Sequence, residues 1–263
     1  MNREPGSDIG PPHEEDVILD MTIIDDLAAE QDRLEDILAG LDEAQWTSPS
    51  GAAGWTVADV VLHLAQSEEG VVASVAGAGA DIRPERGRTV DEAMDLLVRA
   101  ERTSPEEVFR RWREARRASV EALRGADPGR PLTWVEAPLK PATLATTRLA
   151  EHWAHGLDIT APLGIAFPDT ERLRHIAWLA HRTLPYALAL TAEQAGPVAC
   201  ELTAPDGTEV WRFGPADAES TISGAAGAFC RVAAQRLDAA ESGLRTTGPD
   251  GAAALGVLRT YAS

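Results

Sequence analysis

The chain has 263 residues, of which 44% are apolar and 25% are charged, and its formal net charge is −18. This length is sufficient for one large domain or two small ones with a true hydrophobic core. The acidic balance argues against a nucleic-acid or anionic-membrane partner, because binding phosphates requires a basic surface. The N-terminus lacks a signal pattern, no apolar run is long enough to cross a bilayer, and two cysteines form no disulfide framework. A cytoplasmic protein is therefore predicted.

The first half of the chain is predicted to be helical. Residues 1–15 hold glycines and prolines among acids, which is typical of a disordered tail. Apolar residues recur at intervals of three and four from Asp16 to Leu41, which predicts a long amphipathic helix. A second helix is predicted to begin after Thr56, with Asp59 three residues further on in a near capping-box pattern, and to run to about Val75.

A third helical region is predicted from Thr89 to Leu123, with a break at Ser104-Pro105 where serine caps and proline opens a new helix. The region contains a basic cluster that we interpret as a solvated face paired with nearby glutamates; a docking surface for an acidic substrate is the secondary interpretation. The cluster consists of Arg110, Arg111, Arg113, Arg116 and Arg117. A fourth helix follows Pro141, so these four long helices predict a bundle.

In the last third of the chain the sequence pattern changes from helical to mixed helix and strand. A fifth helix is predicted from Thr170 to Leu190. Two strand-like runs around a Pro-Asp-Gly-Thr turn then predict a hairpin over Val198–Thr203 and Glu209–Phe213. Helices are predicted from Ala218 to Ala240 and from Leu255 to Tyr261. The predicted organisation is mostly α: a helical bundle over 16–195 with a small α+β domain over 196–263.

The segment 148–158 in the fourth helix carries the clearest candidate chemistry. Glu151 and His155 are four residues apart and so share one helix face, and Asp158 lies on the same stripe. A carboxylate and an imidazole at that spacing can bind one metal ion, but a protein metal site normally needs a third ligand. His63 on the second helix could converge with them across the bundle. Taken alone, a histidine there is more often a hydrogen-bonded, half-buried residue than a ligand.

Two imidazoles and a carboxylate are a recurrent catalytic zinc set, and the same donors suit nickel or iron. Such a site leaves a coordination position open and can polarise a carbonyl or activate a bound water or thiol. The pattern His63, Glu151 and His155 therefore indicates a metal site only if the three side chains meet. His152 is interpreted as a packing residue or as a group that supports a ligand. His175 and His181 are interpreted as structural or exposed, and Cys230 as a core residue.

Two motifs resemble those of the superfamily of DinB-like proteins and mycothiol-dependent maleylpyruvate isomerases. These motifs are Gly54-Trp-Thr-Val-Ala-Asp-Val-Val-Leu-His-Leu64 and Thr147-Arg-Leu-Ala-Glu-His-Trp-Ala-His-Gly-Leu-Asp158. The segment Ile222-Ser-Gly-Ala-Ala-Gly-Ala-Phe-Cys-Arg-Val-Ala-Ala-Gln-Arg236 resembles a helix of the C-terminal domain in an actinobacterial subgroup of metal-binding proteins. The resemblance covers nearly the whole chain after the tail.

The resemblance implies a DinB-like four-helix bundle with a small C-terminal α+β domain. It also implies that His63, Glu151 and His155 bind a divalent metal and that mycothiol serves as a thiol cosubstrate. Members of the family use an arginine of the C-terminal domain, for which Arg231 and Arg236 are candidates. Arg148, one turn before Glu151, is a further candidate for holding a substrate carboxylate, and Asp158 is expected to orient a ligand histidine.

The leading hypothesis is a metal-dependent isomerase or S-transferase that uses a thiol and acts on a small electrophile. One alternative is a thiol-independent metal-dependent hydrolase, lyase or cyclase. Another is a protein that binds a metal or small ligand without turnover. A monomer and a homodimer are both compatible with the sequence, and the bundle alone does not identify the reaction.

Overall fold

The computed structural model describes residues 14–78, 89–135, 137–190 and 196–260. Seven helices come first: α1 (Glu14–Ala39), α2 (Glu43–Thr47), α3 (Val57–Val75), α4 (Val90–Ala100), α5 (Pro105–Gly125), α6 (Pro141–Leu163) and α7 (Leu173–Leu190). The predicted tail falls outside the described ranges except for Glu14 and Glu15, which begin α1. Among the described helices, none combines the length and the apolarity that a bilayer crossing requires.

Local capping signals place the starts of the bundle helices. The Thr56 hydroxyl accepts a hydrogen bond from the Asp59 amide, and the Asp59 carboxylate accepts one from the Thr56 amide. This reciprocal capping box begins α3 one residue after Thr56, as predicted. The predicted break at Ser104-Pro105 is also confirmed, because Ser104 caps α5 and Pro105 is its first residue.

Four long helices, α1, α3, α5 and α6, pack against one another as a bundle. Helix α3 lies against α5 and α6, while α1 lies against α5 and α6. Large side chains such as Trp112 of α5 and Trp153 of α6 fill the interior and are almost completely buried. The predicted four-helix bundle is therefore confirmed, and the short helix α2, capped by Asp42, is an addition that the sequence analysis missed.

Each of the five arginines in the basic cluster of α5 forms an ion pair. Arg110 pairs along the helix with Glu107 and Glu114, as the helical spacing predicts. Arg116 instead reaches α1, where it pairs with Asp32 and Glu35. The cluster thus ties α5 to its neighbours as well as facing solvent.

After α7 the chain continues through β1 (Val198–Thr203), β2 (Val210–Phe213), β3 (Ser220–Ala225), α8 (Ala226–Ala233), β4 (Arg245–Thr247) and α9 (Gly251–Gly256). The four strands form one small sheet with the order β2-β1-β3-β4. The β1–β2 hairpin is antiparallel, β1 and β3 are parallel, and β3 and β4 are antiparallel. The predicted hairpin is confirmed.

The predicted helix from Ala218 to Ala240 is wrong over its first part. The buried Ser220 and Ile222 alternate with the more exposed Thr221 and Ser223, a two-residue period that belongs to a strand. Only Ala226–Ala233 is α-helical in that range. The last helix lies earlier in the chain than predicted: it spans Gly251–Gly256 and shares only Leu255 and Gly256 with the predicted range, and Tyr261 lies outside the described residues.

The apolar core is continuous across residue 196, where the sequence predicts a domain boundary. One cluster of buried side chains runs from Ile23 in α1 through α6 and α7 to the sheet and Leu258. Helix α7 makes the connection, because it packs against α6 on one side and against α8, α9 and β2 on the other. The C-terminal segment therefore shares its core with the bundle.

Candidate metal centre

Three side chains that could hold a metal converge between α3 and α6. His63 Nε2 and His155 Nε2 each lie 3.5 Å from Oε2 of Glu151. The three donor atoms all fall within 4.8 Å of one another. Glu151 and His155 meet because they are one turn apart on α6, and His63 meets them because α3 packs alongside α6.

The centre is buried on the histidine side and open on the glutamate side. His63 and His155 expose 8% and 9% of their surfaces, whereas the Glu151 side chain is 32% exposed. A small ligand would therefore approach the three donors past the Glu151 carboxylate.

Asp158 orients one of the two imidazoles. Its Oδ2 lies 2.9 Å from His155 Nδ1. Because a carboxylate can only accept, His155 Nδ1 carries a proton, and Nε2, directed toward Glu151 and His63, is the nitrogen that would bind a metal. Asp158 thus lies beside a candidate ligand histidine, as the sequence led us to expect.

Arg236 holds the same carboxylate from the C-terminal side. Its Nε and Nη2 donate to Oδ1 and Oδ2 of Asp158, both at 2.6 Å. Burial opposes ionisation of Asp158, but hydrogen bonds from His155 and Arg236 outweigh it and hold the pKa of this carboxyl below its usual value.

The three donors titrate in different directions. Burial raises the pKa of Glu151, but hydrogen bonds to His155 and His63 and the charge of Arg148 hold it well below its usual value. Burial also lowers the pKa of His63, despite the opposing Glu151 carboxylate. For His155 the contacts with Asp158 and Glu151 outweigh burial and raise the pKa. The cluster therefore presents an ionised carboxylate and one imidazole that favours its neutral form.

Trp55 and Gly51 border the centre, and neither was assigned a role there from the sequence. The indole of Trp55 lies 5.2 Å from the His63 ring and 6.4 Å from the His155 ring, centroid to centroid. Its Nε1 donates to Asp95 Oδ1 at 2.9 Å, which ties the indole to α4. The Gly51 amide donates to the Asp158 carbonyl at 2.7 Å. Both residues lie in the loop before α3, whose partners are remote in sequence.

The donor set fits a divalent metal. Two imidazole nitrogens and one carboxylate oxygen lie within 4.8 Å of one another, and at His155 the contact with Asp158 is made by the other ring nitrogen. His63 Nδ1, on the far side of its ring, is buried without a hydrogen-bond partner in the described structure, so no contact commits that ring to the opposite tautomer. These residues match the His₂-carboxylate pattern of catalytic zinc sites.

The two candidate arginines of the C-terminal segment, Arg236 and Arg231, have different partners. Arg236 reaches the centre through Asp158. Arg231 pairs instead with Asp169, with both contacts at 2.8 Å, and lies over the Trp153 ring. No described contact joins Arg231 to the three donors.

Arg148 is held by a different partner from the one that the sequence suggested. Its Nε donates to Oε1 of Glu68 at 2.9 Å, and the Ser119 hydroxyl donates to the other oxygen of that carboxylate. Arg148 and Glu68 expose only 4% and 0% of their side chains. Holding a substrate carboxylate would require Arg148 to leave this buried ion pair, so the structure does not support the predicted anchoring role.

The other histidines have structural contacts. His152 is completely buried, with Nδ1 at 2.9 Å from the Arg148 carbonyl and Nε2 accepting from Trp112 Nε1 at 3.3 Å. His175 Nε2 lies 2.8 Å from Asp26, and His181 Nε2 donates to the Val198 carbonyl at 2.9 Å. These contacts agree with the packing roles predicted for them.

Two kinds of sequence comparison place the chain among known proteins. Residues 27–160 match the family model described as the mycothiol maleylpyruvate isomerase N-terminal domain. Two uncharacterized proteins of Mycobacterium tuberculosis, from strains H37Rv and CDC 1551, are each 34% identical to the chain over 242 residues. The alignments cover 90% of this chain and 94% of each relative.

The fold has a solved counterpart. The crystal structure of the mycothiol-dependent maleylpyruvate isomerase superposes with a TM-score of 0.54, covering 91% of this chain and 97% of that one at 16% identity. A histidine-to-alanine variant of that isomerase matches with the same values. The resemblance predicted from the two histidine motifs is therefore confirmed, and the chain belongs to the DinB-like superfamily that includes the mycothiol-dependent maleylpyruvate isomerase.

Proposed function

We propose that this protein is a metal-dependent enzyme of the thiol-dependent isomerase or S-transferase type, acting on a small electrophilic substrate. The observation that carries the proposal is the convergence of His63, Glu151 and His155, whose donor atoms lie within 4.8 Å of one another. The use of a thiol is supported by the family model, which is described as a mycothiol maleylpyruvate isomerase domain, and by the solved relative, which is described as mycothiol-dependent.

In the proposed centre, His63 Nε2, the Glu151 carboxylate and His155 Nε2 hold the metal, with zinc, nickel or iron compatible with the donors. A divalent metal at that position would lower the pKa of a thiol or polarise a carbonyl. Asp158 keeps a proton on His155 Nδ1, so that Nε2 is the nitrogen that binds the metal. Trp55 lies next to both imidazole rings, and the partly exposed Glu151 borders the approach for substrate.

The metal is tested by elemental mass spectrometry on tag-free protein after reconstitution with zinc, nickel or iron. We expect about one metal ion per chain in the unmodified protein, as in a site with one set of three ligands. His63→Ala, Glu151→Ala and His155→Ala are expected to lose it. His181→Ala is the matched control, because His181 contacts the Val198 carbonyl and none of the donors. Absence of metal from the unmodified protein, or equal metal in His155→Ala and His181→Ala, would refute the centre.

The thiol is tested with the metal-loaded protein and a panel of small electrophiles, with and without mycothiol. Turnover that requires mycothiol is the expected result. Equal turnover without mycothiol would favour a thiol-independent hydrolase, lyase or cyclase. A metal-loaded protein that turns over no electrophile in the panel, with or without thiol, would favour a binding protein.

A further inference from the structure

We propose that Arg236 is a positioning residue of the metal centre: it holds the Asp158 carboxylate in the orientation that directs His155 Nε2 toward the other donors. The C-terminal segment would then complete a centre whose ligands all lie in the bundle. This inference rests on the proposed metal centre and concerns a residue that is not itself a ligand.

A continuous chain of hydrogen bonds joins Arg236 to the centre. Both Arg236 contacts with Asp158 are 2.6 Å long, and Asp158 Oδ2 also accepts from His155 Nδ1 at 2.9 Å. The Asp158 side chain is only 2% exposed, so water cannot readily replace Arg236. A two-point guanidinium–carboxylate contact fixes the plane of the carboxylate as well as its position.

The backbone at Gly51 also packs closely against Asp158. A Cβ atom built on Gly51 would lie 3.0 Å from both Cα and Oδ1 of Asp158. The carboxylate therefore has little room to turn toward Gly51. The close backbone at Gly51 and the two-point contact with Arg236 together restrict the orientation of Asp158 toward His155.

The backbone before Arg236 adopts an uncommon conformation that aims its side chain. Gln235 has a φ of 59° and is the one non-glycine residue with a positive φ in the described ranges. Its side-chain Nε2 donates to the carbonyls of Val232 and Leu258, both at 3.0 Å, which holds the turn. Such backbone is uncommon for residues with a side chain and persists only where its surroundings stabilise it.

The guanidinium of Arg236 is engaged on each of its three nitrogens. Nε and Nη2 bind Asp158, and Nη1 donates to the Ala234 carbonyl at 2.8 Å. These contacts use three of the five N–H groups of the guanidinium. The two that bind Asp158 are the contacts by which Arg236 reaches the centre.

Arg231 provides a matched comparison within the same segment. It forms an equivalent two-point contact with Asp169 and has nearly the same exposed fraction as Arg236, 28% against 29%. No described contact joins Asp169 to His63, Glu151 or His155. Breaking this second pair perturbs the C-terminal segment to a similar extent without touching the ligand histidine.

The test measures zinc affinity of the full chain by competition with a chromophoric chelator. Loss of a residue that orients a ligand typically weakens metal binding by about 10–100-fold, and we expect this of Asp158→Ala. We expect roughly 10-fold weaker binding for Arg236→Met and several-fold for Arg236→Lys, which keeps the charge but not the two-point contact. Arg231→Met should bind zinc as the unmodified protein does.

The double variant decides whether Arg236 acts through Asp158. If it does, Asp158→Ala/Arg236→Met binds zinc no more weakly than Asp158→Ala alone, because the shared effect is removed once. The visible spectrum of the cobalt(II)-substituted protein should shift in Arg236→Met and stay unchanged in Arg231→Met. Thermal unfolding of all variants shows whether each is folded, and Arg236→Lys serves as the milder variant if Arg236→Met is not.

The outcomes separate this inference from the proposed metal centre. If both Arg236 variants have the zinc affinity and the cobalt spectrum of the unmodified protein, while His155→Ala loses zinc, the positioning role alone is overturned. Fully additive losses in the double variant would also overturn it. An unmodified protein that binds no zinc, or a His155→Ala variant that binds it equally well, would overturn the metal centre and this inference together.

Discussion

The buried ion pair between Arg148 and Glu68 should be a major source of stability next to the centre, and Arg148→Met is the change that tests this. Both charged groups lie inside the bundle, 4% and 0% exposed. In the variant, the Glu68 carboxylate loses the hydrogen bond from Arg148 Nε and retains Ser119 as a donor. A buried carboxylate without its countercharge is strongly unfavourable.

Removing one partner of a buried pair typically costs about 3–5 kcal/mol. Because Ser119 still donates to Glu68, we expect a value near the lower end, about 3 kcal/mol. At roughly 2–4 °C per kcal/mol for a chain of this size, the midpoint of thermal unfolding should fall by about 6–12 °C. The double variant Arg148→Met/Glu68→Met should recover part of the loss, since two apolar side chains leave no isolated charge.

Urea unfolding followed by circular dichroism measures these free energies. Arg110→Met is the matched control, because Arg110 is 54% exposed and its pairs with Glu107 and Glu114 lie on the surface. Exposed pairs contribute about 0–1 kcal/mol, so this control should change stability little. An Arg148→Met variant no less stable than Arg110→Met would refute the reasoning, and so would a double variant less stable than Arg148→Met alone.

Two further predictions concern α6. Gly156→Ala should lower the free energy of unfolding by about 1–3 kcal/mol despite the better helix propensity of alanine, because a Cβ there would lie 2.5 Å from the Phe167 ring; unchanged urea stability would contradict this. Burial lowers the pKa of His152 to about 4 in the folded protein, whereas its pKa in the unfolded chain is about 6.5. As the pH falls from about 6.5 to 4, the unfolded chain therefore takes up a proton on His152 that the folded protein does not. The free energy of unfolding should fall by up to about 3 kcal/mol over this range. The loss of stability between pH 7 and 4 should be smaller by about that amount in His152→Gln than in the unmodified chain, and equal losses would exclude the histidine as its source.

Local signals account for most of the fold that the sequence predicts. The capping box at Thr56 and Asp59 and the Ser104-Pro105 start depend on neighbours within a few residues, and both are correct. The strand at Ser220–Ala225 was missed because it ends in Gly224 and Ala225 and runs directly into the Gly/Ala-rich helix that begins at Ala226. Its parallel pairing with β1 supplies the stabilising contacts, and these are distant in sequence.

The centre shows the same limit. Glu151 and His155 can be paired from helical spacing alone. His63 is on another helix, so the residues offered it only as a possible third ligand, and the family resemblance assigned it to the site. Arg148 was placed beside Glu151 from the periodicity of one helix, whereas its partner Glu68 lies across the bundle. Nothing in the sequence separates Arg236 from Arg231, because the partners Asp158 and Asp169 are determined by packing between segments.

The continuous core also has a consequence for the order in which the chain folds during synthesis. Ile23 and Leu27 of the first helix share a buried cluster with Leu255 and Leu258. Chains emerge from the ribosome at roughly 5–20 residues per second, so α6 would wait about 5–20 seconds, and α1 about 10–45 seconds, before those late side chains become available. Until then the faces that they cover remain in water, and a nascent chain stalled before residue 250 would expose apolar surface of the kind that chaperones bind.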